Sequence, residues 1–204
     1  NGVMTAGMHH RWRSRAADLA HVSASSRVLD VATGTGDLAI EMAGRGAEVV
    51  GMDFSSEMLA IARRKAPALR FEQGDAQALS YPDGTFDAAT VGFGARNFGD
   101  LAQGISEMAR VVKPGGRVVV LEITTPTKPP LSTFFSLWFD RVVPALGRVA
   151  GDPDAYTYLP ASVKRFPDAR GLAAIMASAG LRDIGWVLTA GGIIAIHHGT
   201  KASS

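Results

Sequence analysis

The sequence contains no cysteine, which excludes disulfides, thiolate metal centres and cysteine nucleophiles. No apolar run approaches the ~18 residues a membrane-spanning helix requires, and no signal-peptide pattern is present. Charge of one sign is lacking too. Twenty-one Lys and Arg stand against 19 Asp and Glu, a formal +2 that gives no reason to expect nucleic acid as a partner. Internal repeats and low-complexity segments are absent. What remains is an ordinary globular composition, 47% hydrophobic and 20% charged, in 204 residues, enough for a single domain with a real core. The opening Asn1-Gly2-Val3-Met4 reads like the inside of an element, so an upstream segment is expected.

Strand and helix patterns alternate along the chain. Apolar or β-branched runs at Arg27–Val31, Glu48–Met52, Leu69–Glu72, Phe86–Phe93 and Arg117–Ile123 read as five strands. Between them lie helical stretches from Asp37 to about Arg45, from an N-cap at Ser55 to the basic turn Arg63-Arg64-Lys65, and from Asp100 to Val112. Lys113-Pro114-Gly115-Gly116 reads as a sharp stop. A helix is expected at Arg170–Ala179, then strands Leu181–Leu188 and Gly192–His198, whose three-residue connection forces an antiparallel hairpin. The expected fold is therefore α/β: a doubly wound, seven-stranded, mostly parallel sheet ending in that hairpin. Residues 125–170 interrupt the alternation and read as an insertion that binds a second substrate.

The strongest local signal is Asp30-Val31-Ala32-Thr33-Gly34-Thr35-Gly36-Asp37. A strand feeding a Gly-x-Gly turn and then a helix lets backbone approach a ligand closely, where a Cβ would intrude. Gly34-x-Gly36-x-x-Ala39 also satisfies the nicotinamide dinucleotide fingerprint, with Asp53 in the place of the ribose-binding acid. Three features favour a different nucleotide. Asp30 puts a carboxylate where a ligand ammonium would lie, Asp75 in Gly74-Asp75-Ala76 can meet an adenine amine, and the hairpin departs from an all-parallel fold. A nicotinamide oxidoreductase and a noncatalytic cofactor-binding subunit remain as alternatives.

Asp30 to Gly36, Asp53, Asp75-Ala76 and Lys113–Gly116 together resemble the class I methyltransferase plan. Over essentially its whole length the chain further resembles the ubiquinone/menaquinone biosynthesis C-methyltransferase family. The likeness is carried by Leu29–Leu38, Phe93-Gly94-Ala95-Arg96-Asn97, Arg110–Gly116, Leu188–Gly192, and Asp154–Leu159 followed by Ser162-Val163. The resemblance implies S-adenosylmethionine as cofactor, S-adenosylhomocysteine as product, and a prenylated quinol, demethylmenaquinol, as methyl acceptor. The lack of cysteine fits a cytoplasmic enzyme, the apolar stretch Leu131–Leu146 suggests peripheral contact at the inner face of the membrane, and a homodimer is a further expectation. Another small acceptor, such as a sterol or phenol, is the alternative within the same chemistry.

The resemblance places cofactor contacts at Thr35, Asp53, Asp75 and Ala76, with Gly92 at a further family position, while the loop itself offers Asp30, Gly34 and Gly36. Two positions depart from the family pattern: Ala32 replaces the first loop glycine, and Gly92 stands where serine is frequent. Arg96 is the candidate catalytic cation, since a positive group eases phenolate formation, and Asn97 the candidate orienting group. An ion pair that fixes the loop is the competing reading of Arg96, and a turn cap that of Asn97. His10, Trp12, Tyr156 and Tyr158 are candidates for the acceptor pocket, while His197 and His198 read as structural. The apolar stretch Leu131–Leu146 is either a core helix or a groove and membrane-surface element for an isoprenoid tail. No metal is called for.

Overall fold

The computed structural model describes residues 2–126, 162–163 and 165–203. Seven strands form one sheet in the order β3-β2-β1-β4-β5-β7-β6. They are β1 (Arg27–Val31), β2 (Glu48–Asp53), β3 (Arg70–Gln73), β4 (Phe86–Gly92), β5 (Val112–Ile123), β6 (Leu181–Thr189) and β7 (Ile194–Lys201). The first five run parallel, and β7 lies antiparallel to both β5 and β6, so it alone runs against the sheet. The expected architecture is present.

Helices cover both faces. One layer holds α1 (Gly2–Leu19), α2 (Asp37–Ala43) and α3 (Ser56–Lys65), and buries Ala16, Met42, Leu59, Val119, Leu121 and Ile196 in a common cluster. The other holds α4 (Leu101–Val111) and α5 (Ala169–Ser178), where Phe86, Ile105, Met108, Val120, Leu172 and Met176 pack together. The alternation along β5 explains the division: Val118 and Val120 point to one layer, Val119 and Leu121 to the other. Strands buried on both faces are apolar on both, and the buried runs 28–31, 88–91 and 118–122 of β1, β4 and β5 each carry a single polar residue, Asp30, Thr90 and Glu122.

Element ends follow local chemistry. The Ser55 hydroxyl accepts the Met58 N–H at 3.2 Å, and the Asp100 carboxylate accepts the Gln103 N–H at 3.0 Å, capping α3 and α4. The larger differences from the expected boundaries have local causes. Strand β5 begins at Val112 because Val112 still pairs with Phe86, and regular pairing with β4 resumes only at Arg117 after the left-handed Gly115 (φ 78°). The hairpin strands run to Thr189 and start again at Ile194, since Ala190–Gly192 form a 3-10 turn. Helix α2 stops at Ala43, two residues early, with Gly44 as its cap.

Because β1 pairs with β2 on one side and β4 on the other, the chain order reverses there, and a crevice opens at the carboxyl ends of the strands.

Candidate active site

Each strand from β1 to β4 delivers a residue to that crevice. Asp30 near the end of β1, Asp53 ending β2, Asp75 just after β3 and Gly92 ending β4 all line one cavity of about 830 Å³. That volume suits a nucleotide-sized ligand.

The β1–α2 loop is the most constrained part of the wall. Gly34 (φ 57°) and Gly36 (φ 81°) occupy left-handed backbone, and a Cβ on Gly36 would meet the Phe71 ring at 3.0 Å. Ala32 is left-handed as well (φ 49°), so the position that departs from the family's glycine keeps a glycine's conformation under strain. Its methyl lies where a side chain on Gly94 would stand, at 2.5 Å from the Gly94 Cβ position, which obliges the facing β4 loop to carry glycine.

The loop's amides are partly spent inside the protein. Gly34 N–H donates to the Asp53 carboxylate at 2.8 Å, and Gly36 N–H donates to the Thr33 carbonyl at 2.9 Å. The other Asp53 oxygen accepts the Ser55 N–H at 2.9 Å. Asp53 therefore clamps the loop and faces the cavity together, with a second lone pair on each oxygen for ligand hydroxyls. Asp53→Ala is expected to weaken S-adenosylmethionine binding by about 1–3 kcal/mol through lost charged hydrogen bonds. Isothermal titration calorimetry reads this directly, and an unchanged affinity would remove Asp53 from the site.

Asp30 lies beneath the loop, only 1% exposed, and accepts the hydroxyls of Thr33 at 2.6 Å and Thr90 at 2.7 Å. Burial pushes its carboxyl up to about 6, against the pull of those two hydroxyls and the Ala39 amide. Also lining the cavity, Asp75 accepts the Gln77 backbone N–H at 2.9 Å, beside the buried Ala76. Phe54 and Met58 are large apolar side chains left exposed on this wall, 77% and 44%. Such surface beside an acid suits the faces of a purine ring. The sequence reading passed over both; the only cue was an aromatic following the acid that ends β2.

Thr35 lines the cavity and its hydroxyl donates to Asp37 at 3.0 Å. Lys65 reaches across from α3 to the same carboxylate at 2.6 Å. Partial burial alone would raise the Asp37 carboxyl, yet the Lys65 bond, the Arg13 charge and the Thr35 hydroxyl hold it below the usual carboxylate range.

The expected catalytic pair divides. Asn97 lines the cavity. Arg96 stands behind it, its side chain 15% exposed, with Nη1 donating to Glu122 at 2.7 Å and to the Phe93 carbonyl at 2.6 Å. The ion-pair reading of Arg96 describes this geometry. Its Nε is buried without a partner among the described residues, as is the Thr124 hydroxyl just beyond β5. Glu122, missed from sequence, is itself 1% exposed on β5.

Of the acceptor candidates, His10 points away toward Glu41, 3.4 Å distant, with 71% of its side chain exposed. Trp12 packs at a tilt against Phe93, with ring centroids 6.2 Å apart and planes at 60°, and donates its indole N–H to Thr189 at 3.2 Å, one ring removed from the cavity. His9 packs edge-on against both rings. Phe93 lines the cavity in left-handed backbone (φ 59°), a conformation that a bulky residue keeps only when its surroundings impose it. Tyr156, Tyr158 and the stretch 131–146 lie outside the described residues. His197 is buried, its Nε2 2.9 Å from the Ala169 carbonyl, and desolvation lowers its pKa. His198 lies against Arg117. Both sit in the body of the sheet, away from the cavity.

Residues 1–201 match the model of the ubiE/COQ5 methyltransferase family. The chain is 49% identical to a demethylmenaquinone methyltransferase of Thermus thermophilus, over 98% of this chain and 94% of that protein. It is 48% identical to a demethylmenaquinone methyltransferase of Deinococcus radiodurans, over 94% of this chain and 82% of that protein. Among solved structures, the YcgJ protein from Bacillus subtilis shares the fold with a TM-score of 0.71 at 21% identity, covering 96% of this chain and all of that one.

Proposed function

Since the chain belongs to the ubiE/COQ5 methyltransferase family, we propose that its crevice binds S-adenosylmethionine and that the protein methylates a ring carbon of a prenylated quinol, converting demethylmenaquinol to menaquinol. The observation that carries this is the convergence of Asp30, Asp53, Asp75 and Gly92 from four successive strands on one cavity. Their spacing suits a ligand with an ammonium group, a diol and an adenine, and no pyrophosphate partner is needed. The oxidoreductase alternative has no support.

Asp53 accepts the ribose hydroxyls, Asp75 with Ala76 meets the adenine edge, Phe54 and Met58 cover its faces, and Asp30 with Thr35 serves the amino-acid tail. Gly92, having no side chain, leaves the cavity open at the end of β4. The cofactor supplies an electrophilic methyl carbon on its sulfonium. The protein's task is then to hold the acceptor carbon in line with that methyl and to ease loss of the hydroquinone proton. Asn97, on the cavity wall, orients the ring hydroxyl. Arg96, behind it, contributes a positive field, reduced by the paired Glu122, and holds the Phe93–Asn97 turn in place. Arginine stays protonated, so the proton leaves to water.

Among the described residues no helix is long and apolar enough to cross a membrane. The apolar sequence 131–146 supports a groove for the isoprenoid tail and peripheral contact with the bilayer that carries it. The test is incubation with S-adenosylmethionine and a panel of demethylated quinols, offered free and in liposomes, with mass detection. A gain of one methyl on demethylmenaquinol is expected, strongest from liposomes. Transfer to none of the quinols overturns the proposal.

A further inference from the structure

The cavity wall is chemically lopsided. Among the described residues it carries four carboxylates, on Asp30, Asp37, Asp53 and Asp75, and a single cation, Arg13 of α1. An amino-acid tail is zwitterionic, so a site that accepts it needs a partner for the carboxylate as well as for the ammonium. The glycine loop is poorly placed to be that partner, because the amides of Gly34 and Gly36 are already donated within the protein.

Arg13 is available. Its guanidinium donates no hydrogen bond to any described residue, and the nearest acid, Asp37, lies 3.6 Å away, beyond hydrogen-bond length. Asp37 feels the Arg13 charge but takes its hydrogen bonds from elsewhere, at 2.6 Å from Lys65 and 3.0 Å from Thr35. A planar fork of donors, its side chain 27% exposed on a cavity wall, is the arrangement that recognises a carboxylate. The element carrying it is anchored. Ala16, Ala17 and Ala20 are buried against the sheet layer, and Arg45 ties α1 down through Asp18 at 2.7 Å and the Ser14 carbonyl at 2.7 Å.

We infer that Arg13 binds the carboxylate of the cofactor's amino-acid tail, so that α1 forms one wall of the cofactor site. This rests on the assignment of the crevice to S-adenosylmethionine, and the test separates the two. Wild-type protein and Arg13→Ala are titrated calorimetrically with S-adenosylhomocysteine, with 5′-methylthioadenosine, which lacks the amino-acid tail, and with decarboxylated S-adenosylmethionine, which keeps the ammonium alone. Arg13→Ala is expected to lose about ten- to a hundredfold in affinity for S-adenosylhomocysteine. Its affinity for the other two should stay within about twofold of wild type, which also shows that the variant keeps a folded cleft. Arg13→Lys should recover part of the loss, as a point charge without the fork. Equal weakening of all three ligands, or unchanged S-adenosylhomocysteine binding, overturns the inference and leaves Arg13 a structural residue. Failure of the wild-type protein to bind S-adenosylhomocysteine at all overturns the cofactor assignment, and this inference with it.

Discussion

Arg96→Ala should lower the free energy of unfolding by about 3–5 kcal/mol, the range for removing one partner of a buried ion pair. Glu122 is the reason. It is 1% exposed on the central part of the sheet, and besides the Arg96 guanidinium it accepts the backbone N–H of Ile123 at 2.9 Å and of Arg96 at 3.3 Å. Burial raises the Glu122 carboxyl, and the Arg96 charge is the largest force drawing it back. Without Arg96 the carboxyl rises further, so the loss should be largest at alkaline pH and should shrink as acid lets Glu122 bind a proton. Urea denaturation at two pH values checks both statements. Combining Arg96→Met with Glu122→Leu should be less damaging than Arg96→Met alone, because no buried charge is left unpaired. If Arg96→Ala unfolds within about 1 kcal/mol of wild type at alkaline pH, the pair is not holding the turn before α4.

This pair also marks the limit of what sequence could convey. Glu122 sits in the β-branched run of β5, where period and propensity report only a strand, and its partner is 26 residues away. Nothing in local pattern joins two residues that the sheet brings together. Asp53 is the contrasting case: an acid closing an apolar run, before a capping serine, is visible without coordinates. The sheet's class was legible for a similar reason, since apolar strands alternating with helices imply a mostly parallel sheet and a three-residue connection implies the closing antiparallel hairpin; the strand order itself had no signature in the sequence. Arg13 was hidden because a basic residue in a helix has no pattern of its own; only its place on a wall shared with four carboxylates gives it meaning. The left-handed conformations of Ala32 and Phe93 were equally invisible, because glycine is the only residue that advertises such backbone in advance. His10 drew attention by residue type, yet the helix turns it toward Glu41 and away from the cavity.

Asp30 leads to the second large effect, in which binding and pH are linked. Its pKa is raised from 3.8 to about 6, which corresponds to about 3 kcal/mol between its two protonation states. A carboxyl raised in the folded state adds stability below its unfolded pKa and loses it as pH climbs through the folded value. Asp30 thus favours the folded protein most below about pH 4 and no longer does so above about pH 6. Asp37, Asp87 and Glu107 are lowered and act in the opposite sense, losing their contribution as pH falls. A stability profile would therefore blend the two, whereas ligand binding isolates Asp30. An ammonium beside it favours the carboxylate, so binding should expel a proton wherever Asp30 begins protonated. S-adenosylhomocysteine affinity should rise about tenfold from pH 5 to pH 7 and then level off. 5′-Methylthioadenosine, which has no ammonium, should show a flat profile over the same range. Calorimetry at pH 5.5 in buffers of different ionisation enthalpy counts the released proton. Asp30→Asn should abolish both the release and the slope, while keeping an oxygen that can accept one of the two threonine hydroxyls. A proton count of zero for wild-type protein would place the ammonium elsewhere and leave Asp30 as the anchor of the glycine loop alone.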